Sequence, residues 1–240
     1  MKNEMVSQEA IEWARQNKRR IAEELASTNK FVPDNPPVSV FMAGSPGAGK
    51  TEFSINLIQA LEMSFKSHTV RIDADELRKL IPGYKGTNAY LFQGAVSILV
   101  EALHDVVLKN KQTFLLDGTF AKYDKAMQNI IRSQKVNRPV FIFYIYQHPS
   151  VAWKFTQARE FTEGRNIPKS AFIEQFLGAK DTIGKILEQR SEKDKINIYL
   201  VRKNFELNSV ESVIELSLGE KSIDGYINKS YTKVDLEGIL

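Results

Sequence analysis

Gly44-Ser45-Pro46-Gly47-Ala48-Gly49-Lys50-Thr51 fits the pattern G-x-x-x-x-G-K-[ST] at each fixed position. The apolar, β-rich segment Val38-Ser39-Val40-Phe41-Met42-Ala43 precedes it, and after it Phe53, Leu57, Ile58 and Leu61 recur at helical spacing. Strand, loop and helix together are the context a phosphate-binding loop requires. The glycines let the backbone turn its N–H groups inward and leave room for phosphate oxygens. The helix that follows aims its positive end at the same anion. Lys50 is expected on the β- and γ-phosphates, and the Thr51 hydroxyl on Mg²⁺. The ligand expected from Gly44, Ser45, Pro46, Gly47, Ala48, Gly49, Lys50 and Thr51 is therefore Mg²⁺ with a nucleoside triphosphate.

The chain has 240 residues, enough for one substantial core. We expect an N-terminal helix and linker over residues 1–34 and a P-loop domain over 35–240, with a lid at about 156–170. Lys plus Arg is 33 and Asp plus Glu is 29, a formal charge of +4. That excess is too small to indicate nucleic acid, though it suits a small anionic substrate. With no cysteine, disulfides and thiolate metal sites are excluded. The charged start shows no signal peptide, and the apolar runs fall short of the ~20 residues of a membrane span. A cytoplasmic protein without membrane contact is the expectation.

Outward from the P-loop, the apolar stretches predict an α/β domain, a parallel sheet of about five strands with helices on both faces. The second strand runs into Asp73-Ala74-Asp75-Glu76. Asp73 suits a helix N-cap with Glu76 three residues on, which leaves Asp75 facing the crevice as a base for an acceptor hydroxyl. The third strand ends in Asp117-Gly118-Thr119, as a Walker B strand ends in an acid that helps hold Mg²⁺. A fourth strand, ending near Tyr146, leads into a helix capped by Ser150 that carries Arg159. Gly164 breaks this helix, so Arg159 and Arg165 are free to converge over a phosphate chain as part of a lid. Arg202 and Lys203 leave the end of the fifth strand, residues 196–201, where either a nucleotide base or solvent would meet them; Arg202 is taken as a nucleotide contact. Residues 212–216 are a weak strand candidate. A helix from Ser7 to about Ser27 carries a partial apolar stripe and is expected on the flank of the domain. His68, His104 and His148 lack metal-ligand spacing.

These stretches resemble the zeta toxins, P-loop small-molecule kinases of bacterial toxin–antitoxin systems. The matching residues are Ala43 through Thr51, Ile72-Asp73-Ala74-Asp75 with Pro82, Asp117-Gly118-Thr119, and Arg159 with Glu163-Gly164-Arg165 and Ile167-Pro168. The resemblance implies transfer of the γ-phosphoryl group of ATP or GTP to the sugar 3′-hydroxyl of UDP-N-acetylglucosamine. It also implies Lys50 on the transferring phosphates, Asp75 as base, and Arg159 and Arg165 on the phosphoryl group. Asp117 and Thr119 fall at substrate positions, and an antitoxin protein is the implied partner. One position departs: the family's acid-Gly-Thr usually carries Glu where this chain has Asp117, one methylene shorter. The residues themselves leave open a kinase of nucleosides, nucleotides or nucleic-acid ends, and a nucleotide-binding regulator with no acceptor.

Overall fold

The computed structural model describes residues 2–65, 68–164, 166–204, 209–227 and 229–240. Its centre is a six-stranded sheet of order β2-β3-β1-β4-β5-β6, in which β1 (Ser39–Ala43) lies between β3 (Phe114–Asp117) and β4 (Val140–Tyr146). β2 (Val70–Asp73) is one edge; β5 (Ile196–Lys203) and β6 (Val210–Leu216) form the other. Neighbouring strands from β2 through β5 run parallel, and β6 pairs antiparallel with β5. The sheet thus has six strands, one more than the sequence suggested. β6 is half wet, so its apolar alternation is weak, and only pairing with β5 defines it.

All five residues of β1 are buried, as a strand covered on both faces must be. α2 (Lys50–Phe65) lies on one face with Phe53, Leu57 and Ile58 against Met42 and Val201. The larger core on the other face takes in α4 (Gln93–Lys109), α5 (Tyr123–Lys135) and α7 (Lys169–Gln189). α1 (Lys2–Leu25) packs along α4 through Ala10, Ala14, Ile21 and Ala22, which realises the flanking helix its stripe predicts. Residues 89–109 are long and apolar enough by composition to cross a membrane, contrary to the reading of short apolar runs. Here they supply core contacts through Ala95, Val96, Leu99, Leu103 and Val107.

Opposite the P-loop edge, Arg138 is 1% exposed and ties strand starts together. Its guanidinium donates to the carbonyls of Val38 (3.0 Å), Val107 (3.3 Å) and Gln112, and lies over the Phe114 ring. Burial pulls its pKa down to about 10, and Asp34 opposes the shift. The polar strand starts are so closed by one buried cation, which leaves the other edge open for chemistry.

Candidate functional site

The C-terminal ends of the parallel strands gather on one edge, where an open α/β sheet places its ligand crevice. The P-loop leaves β1 with Gly44, Gly47 and Gly49 at φ +136°, +69° and +86°. A side chain at Gly47 would run into the Ala152 carbonyl oxygen and stand 2.7 Å from Thr156 Oγ1. The loop is therefore packed against α6 (Pro149–Glu163), the helix that follows β4. Lys50 Nζ donates to the Ser45 carbonyl at 2.7 Å, so its ammonium curls over the loop. Gly44 N–H donates to the Thr119 carbonyl at 3.0 Å, joining the end of β3 to the first residue of the loop.

From the P-loop helix a chain of polar contacts runs sideways to Asp75. Ser54, fully buried on α2, places its hydroxyl 2.9 Å from the Thr51 carbonyl and 3.2 Å from Asp117 Oδ2. Asp117 Oδ2 also accepts from Arg71 Nη2 at 2.5 Å, and the same nitrogen lies 2.7 Å from Asp73 Oδ2. The reason is register: Asp73 and Asp117 are directly paired across β2 and β3, so two carboxylates meet at the sheet edge and require a cation between them. Burial pushes the Asp73 carboxyl above the usual range; Arg71 opposes this and Asp117 adds to it.

Asp73 caps α3 (Ala74–Lys79), its Oδ1 accepting from Asp75 N at 2.7 Å, as the sequence predicts. Glu76 makes no box with it and instead pairs with Lys79 at 2.8 Å. Asp75 sits in the first turn with Oδ1 2.6 Å from Arg78 Nη1 and Oδ2 3.8 Å from Arg159 Nη2. Arg78 is 3% exposed, and its Nη2 donates to Gln93 Oε1 at 3.3 Å, at the start of α4. A buried guanidinium thus fixes one oxygen of this carboxylate while Arg159, on α6, faces the other.

α6 begins differently from its expectation. His148, not Ser150, is the cap, its Nδ1 accepting from Ser150 N at 3.3 Å, with Pro149 in the first turn, where its missing N–H costs nothing. His148 Nε2 lies 2.8 Å from the Tyr231 hydroxyl, so the C-terminal segment is tied to this helix. Gly164 ends α6 in the left-handed conformation at φ +69°, as the break at this glycine predicts. Its Cα faces Thr87, whose Cγ2 would be 3.5 Å from an added Cβ, so the turn rests on the loop beyond α3. Arg165 lies outside the described residues. Arg202 pairs with Glu211 across the β5–β6 hairpin at 3.0 Å.

The structure therefore joins Lys50, Thr51, Asp117, Thr119, Asp75 and Arg159 along one sheet edge, and adds Ser54, Arg71 and Arg78, which the sequence reading passed over. Among the described residues no group of three or more His, Asp or Glu forms a metal cage. Mg²⁺ does not need one, since it is commonly held by one or two protein oxygens and the phosphates it accompanies. Thr51 at the start of α2 and Asp117 at the end of β3 are the oxygens that could fill that role; Ser54 joins the Thr51 main-chain carbonyl, not its hydroxyl, to Asp117.

A family model described as Zeta toxin matches residues 22–210. No curated protein matches the chain. Among solved structures, one from the PezAT chromosomal toxin–antitoxin system of Streptococcus pneumoniae superposes with a TM-score of 0.66 at 16% identity, covering 92% of this chain and 90% of that one. The AvrRxo1-ORF1:-ORF2 complex with ATP superposes with a TM-score of 0.59 at 16% identity, covering 92% of this chain and 69% of that one. At such identities these likenesses show a shared fold alone.

Proposed function

Since the chain belongs to the Zeta toxin family, we propose that it is a nucleotide-dependent kinase that phosphorylates a hydroxyl of a nucleotide-linked sugar, with UDP-N-acetylglucosamine the acceptor the family resemblance implies. The observation that carries this reading is Asp75, held by the buried Arg78 on one oxygen and facing Arg159 with the other, on the same strand edge as a complete P-loop. A binding-only regulator has no use for a fixed carboxylate opposite a lid cation; a hydroxyl acceptor does.

In the proposed reaction the acceptor oxygen attacks the γ-phosphorus in line, the bond to the β–γ bridging oxygen breaks, and the nucleoside diphosphate leaves. The acceptor proton passes to Asp75. Lys50 and the P-loop amides hold the β- and γ-phosphates, while Arg159 and Arg165 balance charge on the equatorial oxygens. Thr51 and Asp117 would hold Mg²⁺, which when bound neutralises phosphate charge. Arg202 and Thr119 are proposed contacts of nucleotide and acceptor respectively. Since phosphoryl transfer is mostly positioning, the Arg78 contact matters more for where the Asp75 carboxylate points than for its basicity. The likeness to a structure from a toxin–antitoxin system supports an antitoxin as protein partner.

The test is Asp75→Asn, which keeps size and loses the proton acceptor. Transfer to a nucleotide sugar should vanish while ATP affinity stays within about threefold. Undiminished transfer would take Asp75 out of the mechanism.

A further inference from the structure

Lys203 ends β5 beside Arg202, yet the two side chains meet different surroundings. A register shift in the β5–β6 pairing falls between them, the kind of irregularity that re-aims a side chain next to a site. Arg202 goes to Glu211 on β6. Lys203 goes to the P-loop: its Nζ is 3.1 Å and its Cε 3.2 Å from the point a Cβ on Gly49 would occupy, with Glu52 Oε2 3.6 Å from the same point. Gly49, at φ +86°, admits the lysine because it has no side chain there.

This ammonium is half-buried, and among the described residues it makes no hydrogen bond and no ion pair within 4.0 Å. Burial draws its pKa below the usual lysine value, and the longer-range attraction of Glu52 opposes that only in part. A desolvated, unpaired cation is costly to keep unless a ligand supplies the missing anion. The nearest feature suited to an anion is the loop it lies on, at the N-terminus of the sixteen-residue α2.

We propose that Lys203 is a second phosphate-binding cation, which reaches the polyphosphate of the nucleotide from the Gly49 and Glu52 side while Lys50 reaches it from within the loop. The proposal rests on the nucleotide-binding half of the kinase reading and is independent of acceptor and transfer. Two cations on one phosphate chain also divide the work: Lys50 goes with the transferring end, and Lys203 holds the chain to the loop before and after transfer.

Calorimetry on the full chain tests it, with Mg·ATP and inorganic tripolyphosphate as probes and Lys203→Met, Lys203→Gln and Lys203→Arg as variants. Met keeps the apolar stem, and Gln is a second neutral head should Met disturb the fold. Both neutral variants should bind both probes about ten- to a hundredfold more weakly, as loss of a charge-assisted contact predicts, and Arg should recover most of the loss. The deficit should shrink at high salt. Unchanged ATP affinity in both neutral variants would overturn the proposal. So would a loss for ATP with none for tripolyphosphate, since Lys203 would then be reading base or ribose. Wild-type protein that bound neither probe would sink the nucleotide reading together with it, whereas normal binding without any phosphate transfer would remove only the kinase reading.

Discussion

Replacing Arg78 by Met separates positioning of the crevice carboxylate from binding of the nucleotide. Arg78 is 3% exposed and holds Asp75 Oδ1 at 2.6 Å and Gln93 Oε1 at 3.3 Å. Methionine fills much of the same volume without charge, so Asp75 loses its 2.6 Å contact on Oδ1 while its backbone placement in α3 and the longer 3.8 Å approach to Arg159 remain. A charge-assisted hydrogen bond is worth about 1.5–3 kcal/mol, and if all of it orients the carboxylate the rate of transfer falls about ten- to a hundredfold. Stability should suffer less: Asp75 is 27% exposed at its side chain and keeps water, so about 1 kcal/mol, or 2–4 °C in Tm, is expected. The assay is steady-state transfer alongside ATP titration. The predicted outcome is a drop in kcat with ATP affinity within about twofold, and partial recovery in Arg78→Lys, which restores one bond but not the fork to Gln93. Transfer at the wild-type rate in Arg78→Met, or a loss of ATP affinity as large as the loss of rate, would refute the positioning role.

Three further outcomes are expected. Gly47→Ala places a Cβ against the Ala152 carbonyl at a φ of +69°; left-handed strain of about 1–2 kcal/mol plus the collision should lower Tm by at least about 5 °C and ATP affinity more than tenfold, measured by calorimetry. His104 is fully buried, stands 3.0 Å from the Arg132 guanidinium, and has its pKa pushed down to about 3 by burial and then by Arg132, Arg138 and Lys125. In the unfolded chain it titrates near 6.5, so the unfolded state binds the extra proton between about pH 6.5 and 3, and stability is lost as pH falls through that window. Between pH 7 and 5 the loss should be about 2 kcal/mol, seen in urea midpoints and largely absent in His104→Gln. Arg71→Met leaves Asp73 and Asp117 paired in register without the cation at 2.5–2.7 Å; Asp73 should take its proton at higher pH than in wild type, readable by NMR titration of its carboxyl carbon, and because the folded state then binds the extra proton, the variant should regain stability as pH falls through that titration.

The P-loop and the five parallel strands were legible because long apolar β runs and a fixed glycine spacing are local signals. β6 was faint: an edge strand with one wet face carries half the pattern. The candidate site was legible where an acid closed a strand, as at Asp117, or followed it in the first turn of a helix, as at Asp75. Two of its cations, Arg71 in β2 and Arg78 in α3, were not, because they look like ordinary surface charges along the chain. Only the register that sets Asp73 beside Asp117, and the burial of α3 against Gln93, makes each of them necessary. Ser54 was hidden for the same reason, as its partner lies sixty-three residues away on β3. At the end of β5, two adjacent basic residues are equivalent on paper, and the irregular pairing between them decides which one meets the P-loop. The cap of α6 shows a subtler limit: histidine is an uncommon cap, and Ser150 was the stronger sequence signal, but the helix starts two residues sooner, at Pro149.

The proposed function requires that this strand edge transfer phosphate to a hydroxyl. The most direct measurement is incubation of the full chain with labelled ATP and Mg²⁺ across a panel of nucleotide sugars, nucleosides and dinucleotides, with Lys50→Ala in parallel. Lys50-dependent label on UDP-N-acetylglucosamine is expected, at a sugar hydroxyl identified by mass analysis. ATP bound normally and label on no acceptor in the panel would contradict it.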